Sequence, residues 1–383
     1  MNILWIYNLP LRPEVGGTER ITSLVAKGLS LRGYKCMDIL VFNENTGKLT
    51  YKSKEVDDLY DFLVLNKVDV VINQIAYAKW LLEAFLEKGG DKWRQEGGRI
   101  ISCLHFDPKN PSYYFFLNSN RNKNLKDRVN LLKAALLYKY HQYKQEKKEG
   151  DIYNYIYDHS DKVVVLSSTH IPYMKKVMKR IEYSRMVAIN NPLTFDTVSS
   201  PDIIKEKKKV ALVCARMSEY HKRISIILQV WRQLQKNKVS HDWILKVVGD
   251  GPDLEGYKKF VDEMKIQNVQ FEGQRYPEPY YEEASILLLT SSAEGWGLTI
   301  TEGLQRGVVP VVMNSCPVFS EIICDGKNGF LTPNNRLKQY EKKILRLMSD
   351  DSLLESMQEQ ALESAYRFSM DSTMDKWVKI LHD

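Results

Sequence analysis

Glu294-Gly295-Trp296-Gly297-Leu298-Thr299-Ile300-Thr301-Glu302 sets two carboxylates eight positions apart around a glycine-flanked turn. Upstream, residues 285–291 (SILLLTS) read as a short buried strand, and residues 298–306 read as a helix. The order is strand, glycine turn, helix. Such a turn aims backbone N–H groups and the positive end of a helix dipole at one point, a setting suited to phosphate. Glu294 precedes the turn and Glu302 follows about one helical turn into the helix, so both carboxylates can reach hydroxyls of one ligand. Glutamate pairs are common in any chain. The glycines and the strand-to-helix setting give this pair its meaning.

The same alternation extends outward from that stretch. In the first half the pattern predicts strands at 2–7, 36–42, 69–73, 99–105, 161–166 and 186–189, with helices at 18–31, 79–87 and 170–180. Residues 192–209 break the pattern with Pro, Ser and a Lys/Glu cluster, which places the domain linker there. Strands then resume at 210–215, 243–248, 269–272, 285–291 and 309–313, with helices at 224–235 and 253–264. From residue 337 the tail is helical in three pieces, the last placing Met370, Met374, Trp377 and Leu381 on one face. Short apolar strands between amphipathic helices predict an α/β protein with parallel sheets covered on both faces, divided into domains 1–195 and 196–369. Two such domains are expected to face each other across a cleft, with ligands beyond the carboxyl ends of the strands.

Bulk properties narrow the class. The 383 residues suit two domains, and 44% hydrophobic with 27% charged residues suits a soluble globular chain. No apolar run approaches the ~20 residues of a membrane span. Residues 1–7 are apolar but lack a basic leader and soon meet Pro10 and Pro13, so they read as a core strand, not a signal peptide. The cysteines (Cys36, Cys103, Cys214, Cys316 and Cys324) have no zinc or redox spacing, which fits a reduced, cytoplasmic setting. No metal site, no G-x-S-x-G hydrolase elbow and no G-x-G-x-x-G dinucleotide fingerprint occurs. The net charge of +7 is uneven: residues 1–200 hold 30 Lys+Arg against 22 Asp+Glu, and the remainder 25 against 26. This basic half suggests an anionic partner on its side.

Several motifs lie at expected strand ends. Gly16-Gly17-Thr18-Glu19-Arg20 opens the first helix, with Thr18 as the expected N-cap; it reads either as a loop touching phosphate or acceptor, or as an ordinary turn. Arg216 and Lys222 follow the first strand of the second half, where two cations stabilise a departing diphosphate or simply line a solvated loop. Gly249-Asp-Gly-Pro252 ends the next strand as a cleft wall or a plain turn. His105 ends a strand too, and its readings are a sugar hydrogen bond, proton transfer, or a structural histidine. His221 is a weaker candidate within the cationic loop. Residues 113–148 interleave Tyr113, Tyr114, Phe115, Phe116, Tyr138, Tyr140 and Tyr143 with basic residues, beside an apolar stripe of Leu131, Leu132, Ala135 and Leu136. That segment reads as a face for anionic lipid, as a nucleic-acid surface, or as a solvated helix over a core.

Taken together, in this order and spacing, these motifs and the later Gly307-Val-Val-Pro-Val-Val312 and Asn328-Gly-Phe-Leu-Thr-Pro333 resemble glycosyltransferase family 4, the retaining "glycosyl transferases group 1". The resemblance spans nearly the whole chain. It implies a GT-B fold of two Rossmann-like domains, with helix 370–383 crossing back to the N-terminal domain. It implies that Arg216 and Lys222 hold a diphosphate, that Glu302 bonds the ribose, and that Glu294 contacts the transferred sugar. Backbone groups of Gly295, Trp296, Gly297 and Leu298 would meet sugar and phosphate, Gly16, Gly17 and Gly249 would lie by the ligand, and His105 near the sugar. Trp296 stands where the family more often has Phe, and Gln305-Arg306 replaces small residues, a change expected to alter the helix surface.

The expected activity is retaining transfer of a hexose or N-acetylhexosamine from a nucleotide sugar, UDP-linked, to a lipid-linked or surface-polysaccharide acceptor. Neither a metal nor a cofactor is expected, and Arg216, Lys222 and the helix dipole would do the metal's work. The expected partners are nucleotide sugar, glycan or lipid-linked acceptor and an anionic membrane surface through the basic 109–150 segment, with no nucleic acid. The expected location is cytoplasmic, on the inner face of the membrane. The alternatives are a GT-B sugar-nucleotide epimerase and a non-catalytic membrane-binding relative.

Overall fold

Strand β1 (Asn2–Tyr7) is buried from Ile3 onward, as a parallel strand covered on both faces must be. The computed structural model describes residues 1–14, 16–109 and 125–383, and over 125–136 the backbone alone. Tyr113, Tyr114, Phe115 and Phe116 lie outside the described residues, as do the side chains of Leu131, Leu132, Ala135 and Leu136. The chain forms two units, Met1–Pro192 with Met370–Asp383, and Leu193–Ser369.

In the first unit β1 is joined by β2 (Lys35–Phe42), β3 (Leu49–Tyr51), β4 (Lys54–Glu55), β5 (Val70–Asn73), β6 (Arg99–Leu104), β7 (Lys162–Val165) and β8 (Met186–Ala188). Their order is β4-β3-β2-β1-β5-β6-β7-β8. From β2 to β8 every pairing is parallel, with Ile3 opposite Val70 and Val70 opposite Arg99. Beyond β2 the sheet continues antiparallel, a departure from the expected all-parallel sheet. The chain turns from β2 into β3 through residues 43–48, where Asn43 Oδ1 accepts from Asn45 N (3.0 Å) and Thr46 N (3.1 Å) and Gly47 is left-handed (φ 66°), and from β3 into β4 at Lys52-Ser53, whose two residues both have positive φ (50° and 63°). Two consecutive left-handed residues make the tight turn that matches strand twist, normally built from Asn-Gly. A Lys-Ser pair carries no such signal in sequence.

The helix Met370–His382 belongs to this unit and lies against the helix Gly17–Leu31. A Cβ on Gly28 would stand 2.6 Å from Met374 Sδ, so the glycine sets that close approach. Met374, Trp377 and Leu381 are buried, and Trp377 meets Trp5 edge-on at 6.5 Å. Arg99 donates from Nη1 to the Leu381 carbonyl (2.7 Å) and from Nη2 to Ile380 (3.1 Å), tying the negative helix end to β6. Residues Leu125–Asp158 form one long helix.

The second unit holds β9 (Val210–Cys214), β10 (Ile244–Val248), β11 (Val269–Gly273), β12 (Ile286–Leu289), β13 (Val309–Asn314) and β14 (Phe330–Pro333). They are ordered β11-β10-β9-β12-β13-β14, all parallel. One core packs Trp231 and Trp243 with the apolar faces of β9, β10 and β13. Residues 193–199 are no free linker. Gln305, fully buried, accepts from Phe195 N (3.2 Å) and donates to the carbonyls of Phe195 (2.6 Å) and Thr197 (3.0 Å). Arg306 is paired with Glu278 and lies over the Phe195 ring at 4.6 Å. Gln305-Arg306 therefore does not alter a helix surface; both side chains are buried and hold this segment down.

Candidate active site

Strand β9 ends at Cys214, and the chain turns out through Ala215 and the exposed Arg216. That turn is moulded by glycine. Gly249 has φ 132°, and a Cβ there would stand 1.9 Å from the Ala215 carbonyl oxygen. Backbone bonds from Ala215 N to Val248 O (3.0 Å) and from Met217 N to Asp250 O (2.9 Å) fasten the two loops together. Only a residue without a side chain fits between them.

The chain then forms the short helix Glu219–Lys222 and reverses at Arg223, which is left-handed (φ 50°) and buried. Arg223 donates from Nε to Thr290 O (2.6 Å), from Nη2 to Ser291 O (3.0 Å) and from Nη1 to Asn335 Oδ1 (3.2 Å). Burial pulls its guanidinium below the usual arginine range, but it remains a cation. Return bonds run from Thr290 Oγ1 to the Lys222 carbonyl (2.9 Å) and from Ser292 N to the His221 carbonyl (2.7 Å). The segment after β9 is thus clamped to the segment after β12. On that clamp Lys222 Nζ forms an ion pair with Glu294 Oε1, both side chains largely covered, at 21% and 15% exposure. The exposed His221 beside them is pushed down in pKa by partial burial first and then by Lys222, with Arg216 adding to the effect and Glu294 opposing it. Arg216, Lys222 and Glu294 therefore share one electrostatic neighbourhood.

After Glu294 the chain turns through Gly295 and Gly297. Gly297 is the left-handed N-cap (φ 102°) of the helix Leu298–Gln305, and it accepts from Ile300 N at 2.9 Å. Trp296 is buried, edge-on to Phe368 at 5.3 Å, with no partner for its indole N–H among the described residues. Leu298 is partly exposed at the helix start. Glu302 points the other way. It is 3% exposed, accepting from Thr194 Oγ1 (3.0 Å) and Tyr281 Oη (2.9 Å), one hydroxyl on each carboxylate oxygen. The spacing that suggested a pair therefore separates into Glu294, bound to Lys222, and Glu302, held by two hydroxyls.

Gly16, Gly17 and His105 belong to the first unit. Gly16, with extended backbone, is the N-cap of the helix that Gly17 opens; Thr18 lies inside the helix and is not the expected cap. The Glu19 carboxylate folds back over Gly16, 2.1 Å from where a Cβ would stand, and Tyr7 Oη lies 3.4 Å from its Oε1. His105 follows β6 with Nε2 2.7 Å from Gln74 Oε1, and burial pushes its imidazole down to about 4. Among the described residues no group of three or more His, Cys, Asp or Glu is placed to hold a metal ion. No described helix is long and apolar enough to cross a membrane.

Sequence reasoning assigned no role to Arg223, Thr194 or Tyr281. Arg223 bonds residues 67 and 68 positions away, and Thr194 meets Glu302 from 108 positions away. No local pattern announces such partners.

A strand-end cation paired with a carboxylate beside a glycine turn suits an anionic, hydroxyl-rich ligand. Residues 196–364 match the family described as glycosyl transferases group 1. An uncharacterised glycosyltransferase of Haemophilus influenzae is 26% identical over 223 residues, covering 58% of this chain and 61% of that one. The chain thus spans about three fifths of that relative's length. Two solved structures align over all of this chain. One is Anabaena Alr3699/HepE in complex with UDP, with TM-score 0.69, 15% identity and 100% of its length covered. The other is the lipopolysaccharide outer core galactosyltransferase WaaB in its apo form, with TM-score 0.68, 17% identity and 99% of its length covered. The fold is GT-B.

Proposed function

We propose that this protein is a family 4 glycosyltransferase moving a hexose or N-acetylhexosamine from a UDP-linked sugar to a lipid-linked or surface-polysaccharide acceptor. The observation that carries the reading is the Lys222–Glu294 pair, clamped by Arg223 beside Arg216 in the unit whose sequence matches a sugar-transferase family. The fold neighbours include a UDP complex and a lipopolysaccharide galactosyltransferase, which favours transfer to a glycan over epimerisation.

In this mechanism the bond between the sugar's anomeric carbon and the diphosphate oxygen breaks, and negative charge collects on the departing diphosphate. Lys222 leaves Glu294 for a phosphate oxygen, and Arg216 turns onto the same group. The N-terminus of the Leu298–Gln305 helix adds its dipole. These groups carry the charge without a metal ion. Glu294, released from Lys222, accepts from a sugar hydroxyl. The acceptor attacks from the face the diphosphate leaves, a phosphate oxygen takes its proton, and configuration is retained. Glu302 reaches the ribose by exchanging one of its present hydroxyl partners for a ribose hydroxyl.

The test is thermal shift of the purified protein with UDP, GDP, ADP, UDP-hexoses and NAD, without added metal. Stabilisation by the uridine ligands, lost in Arg216→Ala, supports the reading. Stabilisation by NAD alone, or by no nucleotide, overturns it.

The acceptor is proposed to be met at an anionic membrane surface on the cytoplasmic side. On the helix Leu125–Asp158, Leu137, Tyr140 and Tyr143 are 50%, 61% and 62% exposed, and Lys139, Lys144, Lys147 and Lys148 are exposed beside them. Apolar and aromatic groups among lysines suit anionic headgroups. Co-sedimentation with vesicles containing phosphatidylglycerol, absent with phosphatidylcholine alone and weakened in Lys144→Glu/Lys147→Glu, is the expected result. Equal binding to both vesicles removes this part of the proposal.

A further inference from the structure

Two exposed aromatic rings stand at the carboxyl ends of neighbouring strands in the first unit. Strands β5 and β6 run parallel, with Asn73 opposite Ser102. Just beyond that pair Ala76 N donates to the Cys103 carbonyl (3.0 Å), which ties the chain leaving β5 to the end of β6. Tyr77 and Phe106 emerge side by side from this tie, with ring centroids 5.1 Å apart and planes at 87°. In such a T the ring that offers its edge keeps both faces out of the contact. Tyr77 is 42% exposed and Phe106 51%, whereas Ile75, Ala76 and Leu104 around them are each 1% exposed. The chain buries its apolar groups here and leaves these two rings out.

The charge around the pair is negative. Glu19 Oε1 lies 3.4 Å from Tyr7 Oη at the end of β1, the strand next to β5. Partial burial first, then the Glu19 and Glu44 carboxylates, push the Tyr77 hydroxyl up in pKa. Carboxylates accept hydrogen bonds and repel phosphate. A ligand lying on these rings therefore needs an apolar face, with hydroxyls rather than anions around its rim. A pyranose meets both needs. Its C–H face suits the negative face of an aromatic ring, and its rim carries hydroxyl donors. The carboxyl ends of parallel strands are also where open α/β sheets take their ligands.

We propose that Tyr77 and Phe106 form a platform on which an uncharged sugar residue of the glycan acceptor stacks. The acceptor role rests on the sugar-transfer reading, whereas saccharide binding by the two rings stands without it. The nearby carboxylates set the selectivity of the platform, since they disfavour a sugar carrying phosphate or carboxylate.

The test is saturation-transfer NMR on the full chain with the methyl glycosides of glucose, galactose and N-acetylglucosamine, and with choline and glycerol 3-phosphate as charged probes. Transfer to the C–H protons of at least one glycoside is the expected result, with none to either charged probe. Tyr77→Ala and Phe106→Ala should each weaken that binding about five-fold, the scale of one lost aromatic contact. Phe106→Trp and Tyr77→Phe keep the rings and should keep the binding, and urea midpoints show that each variant is folded. No transfer to any glycoside, transfer unchanged in both alanine variants, or transfer to a charged probe instead would overturn the proposal. Thermal stabilisation by UDP is measured on the same samples. Stabilisation by UDP without saccharide binding sinks the platform alone; saccharide binding without stabilisation by UDP sinks the transfer reading and leaves the platform.

Discussion

Both units start a helix with glycine after an apolar strand, but they finish the helix N-terminus differently. In the first unit the Gly17–Leu31 helix carries Glu19 in its first turn, and that carboxylate folds over Gly16. In the second unit the Leu298–Gln305 helix has no acid in its first turn and starts from a left-handed Gly297. A carboxylate in the first turn already answers the helix dipole, whereas its absence leaves the dipole to an outside anion. The same strand–glycine–helix grammar therefore yields a self-satisfied end in one unit and a receptive end in the other. In the second unit Lys222 also pairs with Glu294, just before that glycine turn.

The largest expected effects come from the clamp behind the receptive end. Gly249→Ala would force a side chain into the Ala215 carbonyl at a φ of 132°. Strain and clash together should cost about 3 kcal/mol or more, read as a lowered midpoint in urea unfolding. Arg223→Met leaves the carbonyls of Thr290 and Ser291 without their donor, and should cost about 3 kcal/mol. Weaker UDP binding should accompany it; full stability with full binding would show that the clamp does not hold the site.

Next comes the ion pair itself. Lys222→Met should lower turnover of the donor sugar by about 100-fold, the scale of one lost charge-stabilising donor, with smaller loss for Glu294→Gln. Turnover unaffected by either would move the chemistry away from this pair.

A smaller effect concerns pH. Lys207 donates to the Tyr281 carbonyl at 2.7 Å, and burial pulls its ammonium down to about 7, with the Arg306 charge adding to the effect and Glu282 opposing it. Its folded pKa lies below its unfolded value, so the unfolded chain binds more protons between these two values. This group's contribution therefore makes stability rise with pH from about 7 to about 10.4. Comparison of urea midpoints at pH 7 and 9 should show a smaller rise in Lys207→Met than in the unaltered chain. The smallest effect is Glu19→Gln, which removes one first-turn charge and should cost about 0.3–1 kcal/mol. If it instead creates a second phosphate-binding end, measurable by calorimetry with inorganic phosphate, the contrast between the units rests on that one carboxylate.

Much of the fold was legible because its signal is local. The runs Ile3–Tyr7 and Val70–Ile72 are apolar at every position, as strands covered on both faces must be. The Lys52-Ser53 hairpin was not legible, since two left-handed residues there lack the usual Asn or Gly. At the candidate site, the glycines and the positions of Lys222 and Glu294 were readable from the ends of predicted strands. The burial of Trp296 against Phe368 and of Glu302 against Thr194 was not, because each partner comes from a distant segment.

By itself the sequence determined the alternation of strands and helices, the glycine turns at strand ends, and which charged residues stand beside them. These follow from apolar periodicity and backbone freedom, which act over a few neighbouring residues. Only the tertiary structure decided that Lys222 pairs with Glu294, that Arg223 is the buried clamp, that Gln305 and Arg306 hold residues 195–197, and that Gln74 faces His105. Those choices depend on which strands become neighbours and on where buried polar groups find partners, and hydrogen bonding over such distances leaves no mark in the local pattern.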